Sequence, residues 1–577
     1  MRRLSRPAPT RPSVGILLLA LLPAGGCATA PERLLDPAGD YATIAESSAW
    51  RATSTHAETV ALIERLAAES SRIHVESAGT SFEGKDLPLL VVADPPVRRP
   101  EDVGDRTVVF AWGGIHSGEV CGKPATLMLA RELATDPEPP LLDDLVILLL
   151  PLLNADGNDR MSPDNRRNQD GPVEGMGTRP NALGLNVNRD WSKLETPEAR
   201  AVVDVLNRWD PLVAMDLHTT NGTIHQYTLT YDGPRHPDTD DELEDHTRDV
   251  MLPAIGVAME AATGYKTFSY GNLNRDRTEW RTYPAQPRYS THYLGLRHVF
   301  GILSEAYSYA SYEDRVRATL AFVRHTFEYA AANRSRLEGI RSRAIQRTLE
   351  RGAVPTSRES ITLKQRSVLR SDAEPLLGFE GRRWNERGAE ATYSVRRDDA
   401  AVATETAQLP WAYVFYGHDE LVSLLEAHGI VVETAMEDVP ATTQQYRVRK
   451  GVVRQQREYE GHHLLDLPVE PELVDRTVEA GCRVVRTAQP LGALVAHLLE
   501  PRAEDGVGTW ELVVPERMVL ASEENTAPGG FDADRVGASG PDSGIALPRK
   551  RPKQDWGDPE LFPVLRLLAP VTIELDR

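Results

Sequence analysis

Short apolar runs alternate with helix-periodic stretches over the first two thirds of the chain. The runs "LPLLVVAD" (87–94), "TVVFAW" (107–112), "DLVILLLPLLN" (144–154), "LVAMDLH" (212–218) and "HVFGILSEAY" (298–307) are bounded by turn residues and read as buried strands. Between them lie amphipathic stretches at 57–69, 122–134 and 197–208. Near-continuous apolar strands alternating with helices predict an α/β domain over 55–345, with a mixed, mostly parallel sheet and helices on both faces. A long amphipathic stretch from 313 closes it. Beyond 345 the texture changes: 360–470 holds β-rich pieces around a helix at 418–430, and 523–547 is rich in Gly, Ser, Asp and Pro and reads as a long loop. We treat 346–577 as a β-rich α/β accessory region whose role the pattern does not give.

The N-terminus has a different pattern. Arg2, Arg3 and Arg6 precede an apolar run at 14–24, too short to span a bilayer as a helix, and "AGGC" ends at Cys27. This pattern resembles a lipoprotein signal peptide over 1–27, with Cys27 as the lipidated first residue of the mature chain and 28–54 as a polar tether. It predicts an exported protein held to a membrane through Cys27, in the outer membrane facing the periplasm or at the cell surface. The net charge of −20 argues against nucleic acid as a partner. Cys121 and Cys482, the cysteines left after Cys27, make neither a disulfide framework nor a Cys-based zinc site.

His and an acid stand three apart at His116/Glu119, His246/Asp249, His325/Glu328, His463/Asp466 and His497/Glu500, so spacing alone selects none of them. Context selects the first. His116 and Glu119 follow the carboxyl end of an apolar strand, across two glycines, where open α/β sheets bind ligands. His218 ends a second such strand, and Glu305 interrupts a third, a costly place for an acid without a partner or a task. Two imidazoles and a carboxylate are a catalytic zinc set with a position left for water. Glu305 then becomes the general base, and Asp216 is a possible outer support for a ligand imidazole.

"GGIHSGE", "NADGNDR", "DNRRNQDG", "LNVNRDW" and "DLHTT", followed by a strand-borne Glu, together resemble the zinc carboxypeptidases of the M14 class over about 55–330, in their exported bacterial branch. The resemblance implies one Zn²⁺ per chain on His116, Glu119 and His218, with Glu305 catalytic. It also implies that Asn188 and Arg189 hold the terminal carboxylate of a peptide substrate. An oxyanion-stabilising arginine maps to Arg166, with Arg167 beside it as a further substrate-binding candidate. Tyr283, Tyr289 and Tyr293 are open choices for an active-site tyrosine. The implied activity is removal of C-terminal residues from peptides or peptidoglycan stem peptides by a zinc-bound water that Glu305 activates. Two alternatives stay open: a zinc amidohydrolase of the succinylglutamate desuccinylase/aspartoacylase kind, and an inactive cell-surface binding protein.

Overall fold

The computed structural model describes residues 39, 41–220, 222–381, 387–515, 518 and 560–576; Cys27 and the loop expected at 523–547 lie outside them. The central sheet uses β1 (Ile73–Thr80), β2 (Asp86–Val92), β3 (Thr107–Gly113), β4 (Leu145–Leu150), β5 (Val213–Thr219), β6 (Leu229–Asp232) and β7 (Thr267–Ser269). Two short strands follow, β8 (Asn272–Leu273) and β9 (Glu279–Arg281), and then β10 (Phe300–Ala306) returns to the sheet. The spatial order is β1-β2-β4-β3-β5-β10-β6-β7. Its heart, β4-β3-β5-β10, is parallel, and antiparallel pairs flank it at β2 and β6.

Alternate residues of the inner strands feed two cores, as the period-2 geometry of a strand requires. Phe110, Trp112, Leu148 and Leu150 face one cluster, with Val202 and Leu206 of helix Pro197–Trp209. Val109, Ala111, Ile147 and Leu149 face the other, with Leu62, Leu127 and Phe322 of helices His56–Glu69, Gly122–Thr135 and Tyr312–Ala332. Both faces are therefore covered, as expected for strands without a polar side. The closing amphipathic stretch is two helices, Tyr312–Ala332 and Arg334–Ala353, parted at Asn333.

The stretch expected to be a tether is docked from Tyr41 onward. A capped turn at Ile44–Ser47 places Glu46 against Arg131 with two 2.8 Å contacts. Trp50 packs edge-on against Tyr312, and the buried Lys123 ammonium donates to the Ser54 carbonyl. Buried cations that need acceptors, rather than apolar periodicity, hold this segment, so its polar composition concealed it.

The accessory region is built on a seven-stranded sheet with strand Ala412–Phe415 near its middle. It is continuous with the first domain. Leu494, Tyr413 and Val485 share one core with Trp209 and Leu206. Strand Glu390–Asp398 pairs in parallel with β9 and helps bury Trp280. No helix among the described residues is long and apolar enough to cross a membrane.

Candidate active site

β3 ends at Gly113, and Gly114 turns the chain with a left-handed φ of +69°. A Cβ on Gly113 would lie 2.8 Å from the Gly122 backbone, so only glycine lets the strand pass this close to the following helix. The turn delivers His116 and Glu119 beside the end of β5, which carries His218, and Glu305 on β10 is the direct register partner of His218. One ligand atom from each of His116, Glu119 and His218 lies within 4.8 Å of the others, and all three residues are buried.

The ring nitrogens are sorted. His116 Nδ1 is 3.2 Å and His218 Nδ1 2.8 Å from the Glu119 carboxylate. On the far side, His116 Nε2 lies 2.8 Å from Asn186 Oδ1, which also accepts from the Asn188 amide. His218 Nε2 lies 2.9 Å from Asp216 Oδ2. These acceptors place a proton on both Nε2 atoms and aim both Nδ1 atoms at the carboxylate, as ligand imidazoles supported from outside are arranged. Burial holds His116 down to about 4, so it is neutral and able to ligate. His218 differs: burial works against its charge, but Asp216 and then Glu119 outweigh it and hold its pKa well above the usual histidine range. Glu119 also feels burial first. His116 and Arg166 outweigh it and keep the carboxyl ionised.

A cavity of about 610 Å³ opens over these groups. Glu305 lines it with a buried Oε2 that has no hydrogen-bond partner, and burial raises its pKa above the carboxylate range against the pull of His218. Two nitrogens and a carboxylate facing one point, with an unpartnered acid beside them, fit a zinc ion. Arg166 reaches Glu119 at 2.9 Å and the Thr219 carbonyl at 2.9 Å. Arg167 also lines the cavity, but its side chain is 75% exposed and pairs with Asp164, so the two neighbours are not equivalent. Asn188 and Arg189 follow from a tight turn at Val187–Arg189, behind which Asp190 accepts from Lys193, Thr196 and the Glu195 amide. The Arg189 guanidinium lies 4.2 Å from the centre of the Tyr289 ring.

The structure also divides the tyrosines. Tyr283 and Tyr289 line the cavity, whereas Tyr293 is buried against His428 and Arg297. Sequence reasoning missed Arg179, which sits 3.1 Å from Glu119 and 3.2 Å from His116 Nδ1, and Tyr270. Arg179 lies at no strand end, and Tyr270 follows β7, too short a strand to be marked by its apolar pattern. The competing His/acid pairs sort into other roles: His325 and Glu328 pair on a helix surface, and Glu500 accepts from Tyr413 and Tyr446. Cys121 is buried against Thr219, and Cys482 is buried and unpaired.

Residues 59–290 match the family model for zinc carboxypeptidases. Carboxypeptidase 2 of Trichophyton tonsurans is 23% identical over 478 residues, covering 78% of this chain and 82% of that protein. An inactive metallocarboxypeptidase of Ajellomyces dermatitidis is 30% identical over 140 residues, 22% of each. Among solved structures, a metallo-carboxypeptidase from Burkholderia cenocepacia aligns with a TM-score of 0.35 at 18% identity, over 48% of this chain and 68% of that one. These two sequence relatives are fungal, not of the bacterial branch that the motifs suggested.

Proposed function

We propose that this chain, a metallocarboxypeptidase by its M14 zinc carboxypeptidase domain and its relatives, removes single C-terminal residues from peptides or peptidoglycan stem peptides outside the cytoplasm. One observation carries the reading: Glu305, with its unpartnered buried oxygen, is paired directly across the sheet with His218 in the cavity that also holds Arg189. His116, Glu119 and His218 would hold zinc, which supplies a Lewis acid and acidifies water when bound. Ionised Glu305 would take the proton of the attacking water at its free Oε2 and pass it to the leaving nitrogen. Arg189 offers a planar fork to the substrate's terminal carboxylate, and Arg166 and Arg179 bring positive charge to where the scissile carbonyl gains negative charge.

Among the described residues the acids lining the cavity are Glu119 and Glu305, both already assigned; Arg166, Arg167 and Arg179 also line it, and Tyr270, Tyr283, Thr291 and Leu303 supply uncharged wall. That lining supports a neutral C-terminal residue over a basic one. All four reactive positions are present, which speaks against the inactive binding-protein alternative. Short peptides that differ in their last residue, with free-acid or amidated ends, together with a stem pentapeptide, test the reading. Release of single terminal residues from free-acid peptides alone is expected. Equal cleavage of amidated peptides, or cleavage of N-acyl amino acids only, would replace it with an amidohydrolase.

Export and lipid attachment at Cys27 are part of the proposal and rest on the sequence of the first 27 residues. Cell fractionation of native and Cys27→Ser forms tests them. The native form should be found with membranes and carry a lipidated N-terminus, and an unmodified soluble native protein would end this part.

A further inference from the structure

The turn at 459–462 belongs to the accessory region, yet it reaches the metal site. Tyr459 and His462 close the turn with two backbone hydrogen bonds of 2.7 and 3.1 Å, and the residues between them, Glu460 and Gly461, have φ of 50° and 80°. Left-handed backbone suits Gly at the second of these positions and Asn or Gly at the first. Glutamate at the first is strained, and such strain persists where the surroundings impose it and is common near functional sites.

The Glu460 side chain supplies a reason. The Asn186 backbone N–H donates to Glu460 Oε2 at 2.7 Å, across 274 residues of sequence. The Asn186 side chain carries the link in two directions: its Oδ1 faces His116 Nε2 at 2.8 Å and accepts from the Asn188 amide at 3.1 Å. One carboxylate of the accessory region thus fixes the residue that orients a metal-ligand ring and starts the turn bearing Asn188 and Arg189. The turn itself is clamped. His462 Nε2 is 2.8 Å from both Glu195 oxygens, Tyr459 stacks on Trp510, and Arg288 lies over both rings.

We propose that Glu460 is a positioning residue of the metal site, and that the accessory region is therefore part of the catalytic unit rather than an appended module. The proposal rests on the zinc reading above. Outer partners of ligand histidines change metal affinity about 10–100-fold when removed.

Three full-length variants test it: Glu460→Gly, Glu460→Ala and Glu460→Gln. Zinc affinity is measured by competition with a chelator, and Asn186 amide exchange and melting temperature are measured on metal-free protein. Glu460→Gly relieves the left-handed strain, so its melting temperature should equal or exceed the native one while zinc binds about 10–100-fold more weakly and Asn186 exchanges faster. Glu460→Ala should lose zinc affinity similarly. Glu460→Gln keeps an acceptor for Asn186 and should stay near native in both. Native zinc affinity in Glu460→Gly, or equal loss in Gly and Gln variants, overturns the proposal, as does a zinc loss that only follows a fall in melting temperature. A native chain that takes up no zinc would overturn the zinc reading and this proposal together, whereas a native chain that binds zinc and variants that match it would overturn this proposal alone.

Discussion

Asp216 Oδ2 lies 2.9 Å from His218 Nε2, although the two residues stand on one strand only two positions apart. Side chains so placed share a face without usually meeting. Here the imidazole lies back over its own strand, and Ser290 Oγ donates to the same Asp216 oxygen at 2.6 Å, holding it from the other side. Burial opposes charge on the ring, Asp216 and then Glu119 favour it, and its Nδ1 is directed at Glu119.

Zinc uptake should expel that proton. His218 has a raised pKa before binding and must give up its Nδ1 proton to ligate, so affinity should rise with pH below that raised pKa and level off above it. The expected slope for one proton is about tenfold per pH unit. Calorimetric titrations in buffers of differing ionisation enthalpy should show close to one proton released at neutral pH. Release of none would mean that His218 is neutral beforehand or does not ligate.

Removing both imidazoles should abolish the site. The His116→Ala, His218→Ala double variant is expected to lose its zinc by elemental analysis, and the His325→Ala, Glu328→Ala pair should keep it, because those two residues meet only on a helix surface. Full zinc content in the first double variant would end the ligand assignment.

Glu305→Gln preserves the side chain's shape but cannot take a proton. It should retain zinc and lose on the order of 10²–10⁴ in kcat. Near-native turnover by this variant would show that another group accepts the proton.

Arg189→Lys keeps the positive charge and loses the two-pronged fork as well as the stacking on Tyr289. kcat/KM on free-acid peptides should fall, with little change on any amidated peptide that is cleaved slowly. A uniform fall on both kinds would place Arg189 elsewhere than on the terminal carboxylate.

The Glu46–Arg131 pair tests the docked N-terminal segment. Their side chains are 5% and 7% exposed. Burial raises the Glu46 pKa, and its bonds to Arg131 outweigh this and lower it overall. Its contribution is therefore present above the ordinary carboxylate range and lost as pH falls through the lowered value. Arg131→Ala should cost about 3–5 kcal/mol by urea unfolding at neutral pH, since it leaves a buried carboxylate without its cation. A cost near zero would mean the segment is dispensable.

The sheet and the clustering of His116, Glu119 and His218 were legible because they depend on local signals. Apolar strands such as 107–112 and 212–218 are buried on both faces and cannot hide in a sequence, and His116, Glu119, His218 and Glu305 stand where those strands end. Arg179 carried no such signal and reaches the cavity from an irregular segment; Tyr270 follows β7, a strand of three half-buried residues too short to stand out in the sequence. The two arginines at 166 and 167 differ in partners and exposure: Arg166 bonds to Glu119, and Arg167 pairs with Asp164 at the surface. The docked segment from Tyr41 was hidden because polar contacts hold it, and hydrophobic periodicity does not report those. The role of Glu460 rests on a hydrogen bond between residues 274 positions apart, a contact invisible to motif and period alike.

The parallel pairing of strand Glu390–Asp398 with β9 also bears on how the protein can be cut. β9 and its neighbour β8 are three and two residues long, and a lone pair of strands that short is marginal in water. A fragment ending near residue 345 would strip the outer partner from β9, expose Trp280 and leave an open backbone edge two residues from Tyr283. Such an edge invites pairing with another copy of the fragment. A protein cut near residue 345 is therefore expected to form intermolecular aggregates and to lose the wall of its own cavity, even though His116, Glu119, His218 and Glu305 all remain in it.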